Sequence, residues 1–274
     1  MAINNFNSLS KNLRQIIKIP KANQIGTLVR VVGLACEANG LNAPLGAICE
    51  IKSFITGKIV QAEVVGFQNE TIFLMPFTEA TGIGPGSSVE IISNDATAKV
   101  SHKLLGRVID ASGDPLDGKE KPFCNEEVSL RGIPINPMER TSIESILDVG
   151  VKAINSFLTI GKGQRIGLIA GSGVGKSSLM GMLTRFTKAD VVVIGLIGER
   201  GREVQEFIKE SLGKEGLKKS VVIAAPANIS PVLRIRATYL THSIGEYFRN
   251  QGKSVLMMVD SLTRVAHAQR EIGL

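Results

Sequence analysis

The sequence predicts an α/β protein in which a parallel sheet with flanking helices follows a small antiparallel β-barrel or sandwich. Between Gly26 and about Ile92, short β-branched runs are separated by Gly, Asn and Pro turns, a pattern typical of small all-β units. From about Gly132 onward, near-continuous apolar runs alternate with helical stretches, which indicates βαβ units. The length of 274 residues suits two domains at roughly 150 residues each.

The composition is that of a globular chain, with 43% hydrophobic and 21% charged residues, which excludes disordered, collagen-like and coiled-coil rod proteins. No apolar run approaches the roughly 18 residues that span a bilayer. The N-terminus lacks a secretory h-region, so we expect a cytoplasmic protein. Three cysteines without a CxxC pair predict neither a disulfide framework nor a zinc site.

The net charge of +7 permits an anionic partner such as a nucleotide, a nucleic acid or lipid head groups, and does not choose among them. Aromatic residues make up only 4% of the chain and Trp is absent. The chain therefore has few aromatic side chains on which bases of a single strand could stack, and a nucleic-acid partner is not expected.

Residues 1–25 are predicted to form a short, basic, amphipathic helix. Five basic residues and no acid precede Glu37. Three interpretations remain open: a helix docked on its own domain, a helix that binds a partner, or a helix that lies on a membrane surface. The apolar residues recur at helical spacing and Pro20 would end the helix; they are Phe6, Leu9, Leu13, Ile16 and Ile17.

Residues 26–95 are predicted to form the barrel or sandwich, and residues 96–130 a connector. The connector contains one further predicted strand, 103–109, and a turn-rich stretch, 110–118. The predicted barrel strands are 27–33, 47–51, 57–67, 70–77 and 87–92.

Residues 131–274 are predicted to form the parallel-sheet domain. Strands buried on both faces give unbroken apolar runs, and such runs alternate here with helical patterns. The predicted strands are 164–170, 189–198, 220–227 and 254–260, and the predicted helices are 177–186, 202–212 and 231–251.

A glycine-rich loop between the first of these strands and the first helix has the context of a phosphate-binding P-loop. Glycines let backbone N–H groups turn toward phosphate oxygens, and the helix start adds its positive dipole end. Lys176 can neutralise the β- and γ-phosphates of ATP, and the Ser177 hydroxyl can ligate Mg²⁺. Ala170 stands where the strict pattern has glycine, at the end of the strand. The predicted nucleotide-binding residues are Ala170, Gly171, Ser172, Gly173, Val174, Gly175, Lys176, Ser177 and Ser178.

Two acidic residues follow neighbouring predicted strands. Asp260 ends the run 255–260 and is predicted to hold Mg²⁺ through water. Glu199 follows the run 189–198 at the sheet edge where open α/β folds bind ligands. It is a candidate base for the attacking water and equally an ordinary helix-start glutamate.

The segments 140–183, 189–208, 221–231 and 255–272 resemble the flagellar type III protein-export ATPase family, which is related to injectisome ATPases and to catalytic subunits of rotary ATP synthases. The resemblance implies a small N-terminal β-barrel followed by a RecA-like P-loop domain, and a homo-hexamer. It further implies ATP and Mg²⁺ as cofactors and ATP hydrolysis by in-line attack of water. It also implies that Glu199 is the catalytic carboxylate and that Arg200 neighbours the γ-phosphate, with Lys176, Ser177 and Asp260 in the roles given above.

The same resemblance implies the partners. The N-terminal helix is similar to the family segment that binds a regulatory stator protein and can meet the inner face of the cytoplasmic membrane. Export-gate and substrate-chaperone proteins are further expected partners of such an ATPase.

The chain departs from this family because it stops fourteen residues after Asp260. The family's arginine finger, its adenine-stacking aromatic residues and its helical C-terminal domain have no counterpart in the sequence. Loss of an arginine finger costs about 10³ to 10⁵ in rate. We therefore expect a truncated RecA-like domain that binds phosphate weakly and is a poor ATPase.

Four alternatives remain: an injectisome ATPase, an RNA translocase of the termination-helicase type, a non-catalytic assembly subunit and a rotary ATP synthase subunit. The loop 170–182 favours the flagellar branch over the injectisome branch. Scarce aromatics disfavour the translocase, which RNA stimulation of ATPase activity would revive. Binding of a stator protein by residues 1–25 without nucleotide binding would favour the assembly subunit. The residues at 198–207 disfavour a rotary ATP synthase subunit.

Overall fold

The structure is a computed structural model that describes residues 24–132, 134–171 and 173–273. Its N-terminal part is a closed antiparallel barrel with strand order β1-β2-β5-β4-β3-β6. The predicted N-terminal helix lies outside the described residues. The strands are β1 (Ile25–Val32), β2 (Ala35–Asn39), β3 (Ile48–Lys52), β4 (Ile59–Gln68), β5 (Thr71–Pro76) and β6 (Ser88–Ser93).

Alternation of buried and exposed residues builds this barrel, because successive side chains point to opposite faces of a strand. In β1, for example, Leu28 is buried and Val29 is exposed. The closed barrel confirms the small N-terminal β-barrel that the sequence predicts, although the sequence analysis missed β2. Cys36 and Ala38 alternate inward on β2, but the strand lacks the β-branched residues on which the prediction relied.

The connector packs against the second domain. β7 (Thr97–Val100) and β9 (Glu126–Ser129) form a two-stranded antiparallel sheet, and neither was predicted. β8 (Arg107–Ile109) is the predicted connector strand, and it joins the edge of the parallel sheet beside β11 (Ser220–Ala225). Arg107 Nε donates to Asp117 Oδ2 at 2.6 Å. That hydrogen bond holds the pKa of Asp117 at about 2 and fixes the turn after β8.

The second domain is a parallel sheet with strand order β12-β10-β11-β8. Every residue of β10 and β11 is buried, as strands covered on both faces require. β12 pairs with β10 only, within the part of the chain that the structure describes, and its Met257 is 40% exposed. The central strands are β10 (Val191–Ile197), β11 (Ser220–Ala225) and β12 (Val255–Asp260).

Helices cover both faces of this sheet. α5 packs on one face through Ala237, Leu240 and Ile244. α2 and a π-helix (Phe207–Leu212) pack on the other. The helices are α1 (Lys152–Phe157), α2 (Lys176–Phe186), α3 (Gly201–Glu206), α4 (Gly213–Lys218), α5 (Pro231–Asn250) and α6 (Leu262–Ile272), with 3-10 turns at His102–Leu104 and Pro137–Glu139.

The predicted strand at 164–170 is wrong. The segment carries no strand structure, and Ile166, Leu168 and Ile169 are 52%, 41% and 100% exposed. An apolar run shows that a segment can be buried, but a parallel strand also needs a hydrogen-bonded neighbour and cover on both faces. In the structure the segment has neither, so it enters the phosphate loop as irregular chain.

No helix of the described residues has the length and apolar character needed to cross a bilayer. The predicted domain boundaries after residues 25, 95 and 130 remain predictions.

Two helical glycines give a test of the packing around α2. A Cβ at Gly181 would lie 2.4 Å from the Ser211 carbonyl oxygen, on the backbone of the π-helix. A Cβ at Gly245 in α5 would meet Met257 Sδ at 3.6 Å, an ordinary contact. We expect Gly181→Ala to lower the free energy of unfolding by about 1–3 kcal/mol. Gly245→Ala should raise it by about 0.5–1 kcal/mol through helix propensity. Urea unfolding followed by circular dichroism measures both, and equal effects would contradict the packing.

Candidate functional site

The loop before α2 has the backbone conformation of a phosphate cradle. Gly173 and Gly175 have φ of 78° and 97°, values that residues with a Cβ rarely adopt. Gly175 is the N-cap of α2, so Lys176 is the first residue of the helix. Gly171 is exposed in the same loop, and Ser172 lies outside the described residues. The glycines thus turn the chain directly into a helix N-terminus.

The first turn of α2 presents hydrogen-bond donors to solvent. Ser177 and Ser178 are exposed, and Val174 is exposed at the tip of the loop. The first N–H groups of a helix have no partner within the helix, and the helix dipole is positive at this end. Ala170 is exposed just before the loop. The exposed N–H groups and hydroxyls can therefore surround an anion of the size of a phosphate group.

Lys176 is paired with Asp260 at the end of β12. The distance from Lys176 Nζ to Asp260 Oδ1 is 2.5 Å, and the side chains are 29% and 9% exposed. The apolar residues Met180 and Leu183 hold α2 against the sheet beneath this pair. The two residues that sequence analysis assigned to the phosphates and the magnesium ion are in contact.

Glu199 lies next to this pair because β10 and β12 are parallel neighbours. Leu196 of β10 is opposite Asp260 of β12, so the carboxyl ends of both strands meet at one edge of the sheet. Gly198, with φ of 72°, turns the chain immediately before Glu199. The turn leaves the Glu199 side chain 13% exposed.

The surroundings of Glu199 keep a proton on it at higher pH than usual. Burial raises its pKa to about 7, helped by a hydrogen bond with Glu203 and by the negative charges of Asp260 and Glu203. Arg264 opposes that shift: its Nε lies 3.2 Å from Glu199 Oε1. A carboxyl group with a pKa near 7 can accept or return a proton at neutral pH.

Arg200 stands apart from the other candidate residues. Its side chain is 81% exposed, and Arg200 Nη1 lies 3.9 Å from Glu203 Oε1, a loose surface pair. The structure does not bring it into contact with Lys176 or Asp260 within the described residues.

Arg264 and Glu203 were missed by sequence analysis. Arg264 Nη1 donates to the Gly198 carbonyl at 2.6 Å, and its guanidinium also holds the Glu199 carboxyl. It lies in the first turn of α6, directly after β12, and therefore at the same edge of the sheet as Glu199. Its partner was not predictable, because the contact spans 65 positions of the chain.

The donor set fits a magnesium ion that is held jointly with phosphate. Residues 24–132, 134–171 and 173–273 contain no cluster of three or more His, Cys, Asp or Glu side chains that could hold a metal by itself. Mg²⁺ usually takes one or two protein oxygens and completes its shell with phosphate oxygens and water. The Ser177 hydroxyl is a hard oxygen ligand of this kind, and the Asp260 carboxylate can accept hydrogen bonds from water ligands of the ion.

Comparison with known proteins places this geometry in a family. The model of the nucleotide-binding domain of the ATP synthase alpha/beta family matches residues 150–274, and the model of its β-barrel domain matches residues 23–92. The chain is 38% identical to the assembled ATPase EscN, solved in complex with its central stalk EscO from the enteropathogenic E. coli type III secretion system, with a TM-score of 0.83. That match covers 91% of this chain and 60% of EscN.

Curated relatives agree. The chain is 52% identical to the flagellum-specific ATP synthase of Bacillus subtilis, over 91% of this chain and 57% of that protein. It is 51% identical to the flagellum-specific ATP synthase of Salmonella typhimurium, over 93% and 58%. It is 42% identical to the type 3 secretion system ATPase of Xanthomonas euvesicatoria, over 95% and 59%. The chain thus spans less than two thirds of the length of these relatives. The comparisons confirm the family resemblance and the α/β fold that the sequence predicts. The chain belongs to the ATP synthase alpha/beta family, and flagellum-specific ATP synthases are among its relatives.

Proposed function

We propose that the chain is the barrel and nucleotide-binding part of an ATPase that energises flagellar protein export by hydrolysing ATP to ADP and phosphate. The observation that carries this proposal is the contact of Lys176 with Asp260 at the mouth of the phosphate loop, with Glu199 beside it. Higher identity to flagellum-specific relatives than to the type 3 secretion ATPase of Xanthomonas favours the flagellar branch over the injectisome branch.

In the proposed site, the loop amides and Lys176 bind the phosphates of ATP. When ATP binds, Lys176 gives up its contact with Asp260 and contacts the β- and γ-phosphates. Asp260 and Ser177 would then hold Mg²⁺ against the same phosphates. When bound, the ion neutralises charge that develops on the transferred phosphoryl group.

Glu199 is the proposed base that orients or deprotonates the attacking water. Arg264 holds its carboxyl in place, and Gly198 sets its position at the end of β10. Arg200 keeps its proposed place near the γ-phosphate only if its exposed side chain turns toward the loop when nucleotide binds.

Assembly and partners are part of the same proposal. EscN is described as assembled with a central stalk, and we infer a ring of six copies for this chain as well. Residues 1–25 are proposed to bind a regulatory stator protein and to touch the membrane surface. Export-gate and substrate-chaperone proteins are the proposed further partners, in the cytoplasm.

Nucleotide binding tests the phosphate loop without requiring turnover. We expect Lys176→Ala to weaken binding of a fluorescent ATP analogue with Mg²⁺ by about 10- to 100-fold, because a charge-assisted contact to phosphate is lost. Asp260→Asn should remove the enhancement of binding by Mg²⁺ while leaving Mg²⁺-free binding intact. Lys214→Ala, at an exposed lysine away from the loop, is the control. Binding by Lys176→Ala equal to that of the control would refute the proposed site.

The raised pKa of Glu199 predicts a pH-dependent stability difference. A carboxyl group whose pKa is higher in the folded chain than in the unfolded chain contributes stability at low pH, and that contribution is lost as pH rises through about 7. Glu199→Gln cannot ionise, so its melting temperature should match the wild type near pH 4, below the pKa of an unfolded glutamate, and exceed it near pH 8. Thermal unfolding of the wild type, Glu199→Gln and the surface control Glu210→Gln measures this. A constant difference across that range would contradict the assigned environment.

The same substitution separates catalysis from binding. If Glu199 activates water, Glu199→Gln should lower turnover by about 10²- to 10⁴-fold and leave ATP affinity unchanged. Single-turnover hydrolysis at saturating ATP is the measurement. Turnover within a few-fold of the wild type would assign the base to another group.

A further inference from the structure

One outer wall of the barrel carries exposed aliphatic side chains. It is formed by β1, β6 and β3, with β6 hydrogen-bonded to the other two strands. Ile25 and Val29 of β1 and Ile92 of β6 are 59%, 48% and 51% exposed on this β1-β6-β3 wall. Side chains that alternate with them, such as Leu28 and Val89, fill the barrel core. The wall therefore presents to solvent apolar surface that the core of the barrel does not use.

Two glutamates lie directly opposite each other on the same wall. Glu50 of β3 pairs in register with Glu90 of β6, and Ile25 of β1 is opposite Glu90 on its other side. Like charges at directly opposite positions of an antiparallel pair are destabilising. Within the part of the chain that the structure describes, neither glutamate has an ion pair, and Lys52, two residues along β3, forms none with them. A cation placed beside this pair would relieve the repulsion.

The charge of the whole barrel favours the same kind of partner. Residues 24–95 contain seven acidic and three basic residues, although the full chain has a net charge of +7. One of the three basic residues, Arg30, is already paired with Glu37. The barrel is thus an acidic unit in a basic protein, and its field attracts a basic partner.

The chain itself contains a segment with complementary properties. Residues 1–23, which lie outside the described residues, contain four basic and no acidic residues, and their apolar residues recur at helical spacing. The segment joins the barrel at Gln24, immediately before Ile25 on the wall. Gln24 Oε1 accepts a hydrogen bond from the Asn42 backbone N–H at 3.2 Å, which fixes the point of attachment.

The length of the segment suits the width of the wall. A helix over residues 6–17 would be about 18 Å long at about 1.5 Å per residue. Three neighbouring strands span about 10 Å between the outer two, at about 4.8 Å per step. The segment can therefore cross the wall from the point where it is attached.

We infer that residues 1–23 dock on the β1-β6-β3 wall of their own barrel. Their apolar residues cover the exposed aliphatic side chains of β1 and β6, and their basic residues lie beside Glu50 and Glu90. Burial of apolar surface supplies most of the stabilisation, because exposed ion pairs contribute little. The inference goes beyond the proposed function: a segment that lies on the wall is not free to bind a stator protein or a membrane, so these partners compete with the docked state.

Zero-length carbodiimide cross-linking of the full 274-residue chain, followed by peptide mass spectrometry, tests the docking directly. The reagent joins a lysine to a carboxylate only where the two are in contact. We expect links from Lys11 or Lys18 to Glu50 or Glu90, and none to Glu79, an exposed glutamate between β5 and β6. Mixing isotope-labelled and unlabelled chains shows whether the links form within one chain. Absence of the links, equal yield at Glu79, or links mainly between chains would overturn the inference.

Removal of the two wall charges should release the segment. Trypsin cleaves after Arg14 only while the segment is undocked, so the cleavage rate reports the undocked population. Glu50→Gln/Glu90→Gln should raise this rate about two- to tenfold at low salt, because two weak surface attractions are lost. Glu70→Gln/Glu79→Gln, which removes the same charge at exposed positions outside the wall, is the matched control and should leave the rate unchanged. Equal rates in the two variants would contradict docking on this wall.

A second variant removes the apolar part of the wall and keeps its charge. Ile25→Thr/Ile92→Thr replaces two exposed side chains with another residue that favours strands, so the barrel should stay folded. Cleavage after Arg14 should again be several-fold faster than in the wild type, and unchanged cleavage would overturn the inference. Vesicles of phosphatidylglycerol and phosphatidylcholine test the other occupant. Protection of Arg14 that appears only with vesicles would assign the segment to a membrane surface instead of the wall.

Discussion

The ion pair between Lys176 and Asp260 joins the phosphate loop to the sheet, and the rest of the site is arranged around it. The irregular segment 164–170 gives the loop no support from a strand of its own. The position of the loop and of the start of α2 is therefore set by this ion pair and by the packing of Met180 and Leu183 beneath it. The pair is partly buried, with the Lys176 and Asp260 side chains 29% and 9% exposed. Its consequence is geometric: a cation and a carboxylate are held together at a helix N-terminus.

The parallel register of β10 and β12 explains the electrostatics of the site. With Leu196 opposite Asp260, the chain reaches Glu199 only three residues beyond the position of the other carboxylate. Burial raises the pKa of Glu199 to about 7, and the negative charge of the nearby Asp260 adds to that effect. Arg264 limits the shift by pairing with Glu199. The same sheet edge thus holds the Lys176–Asp260 ion pair and a glutamate with a pKa near neutrality.

Local signals gave most of what could be predicted from the sequence. The glycine pattern before Lys176 determines a loop and a helix start within a few residues, so it was readable without tertiary information. Asp260 and Glu199 were predicted because apolar strand runs end at or just before them. The non-local features were missed: the pairing of β2, whose residues have weak strand preference, and the contact of Arg264 with Glu199. The prediction of a strand at 164–170 was wrong for the same reason, because an apolar pattern does not show whether a pairing partner is present.

α6 carries charged contacts at both of its ends. Its first turn holds Arg264 against Glu199, and its last residue, Ile272, packs against the apolar cluster between the barrel and α5 that contains Met75 and Val232. Arg234 Nη2, on α5, donates to Glu271 Oε2 at 2.6 Å, so the two helices are fixed to each other near that cluster. One helix thus carries both the arginine that pairs with Glu199 and the residues that hold α5 and the barrel junction together.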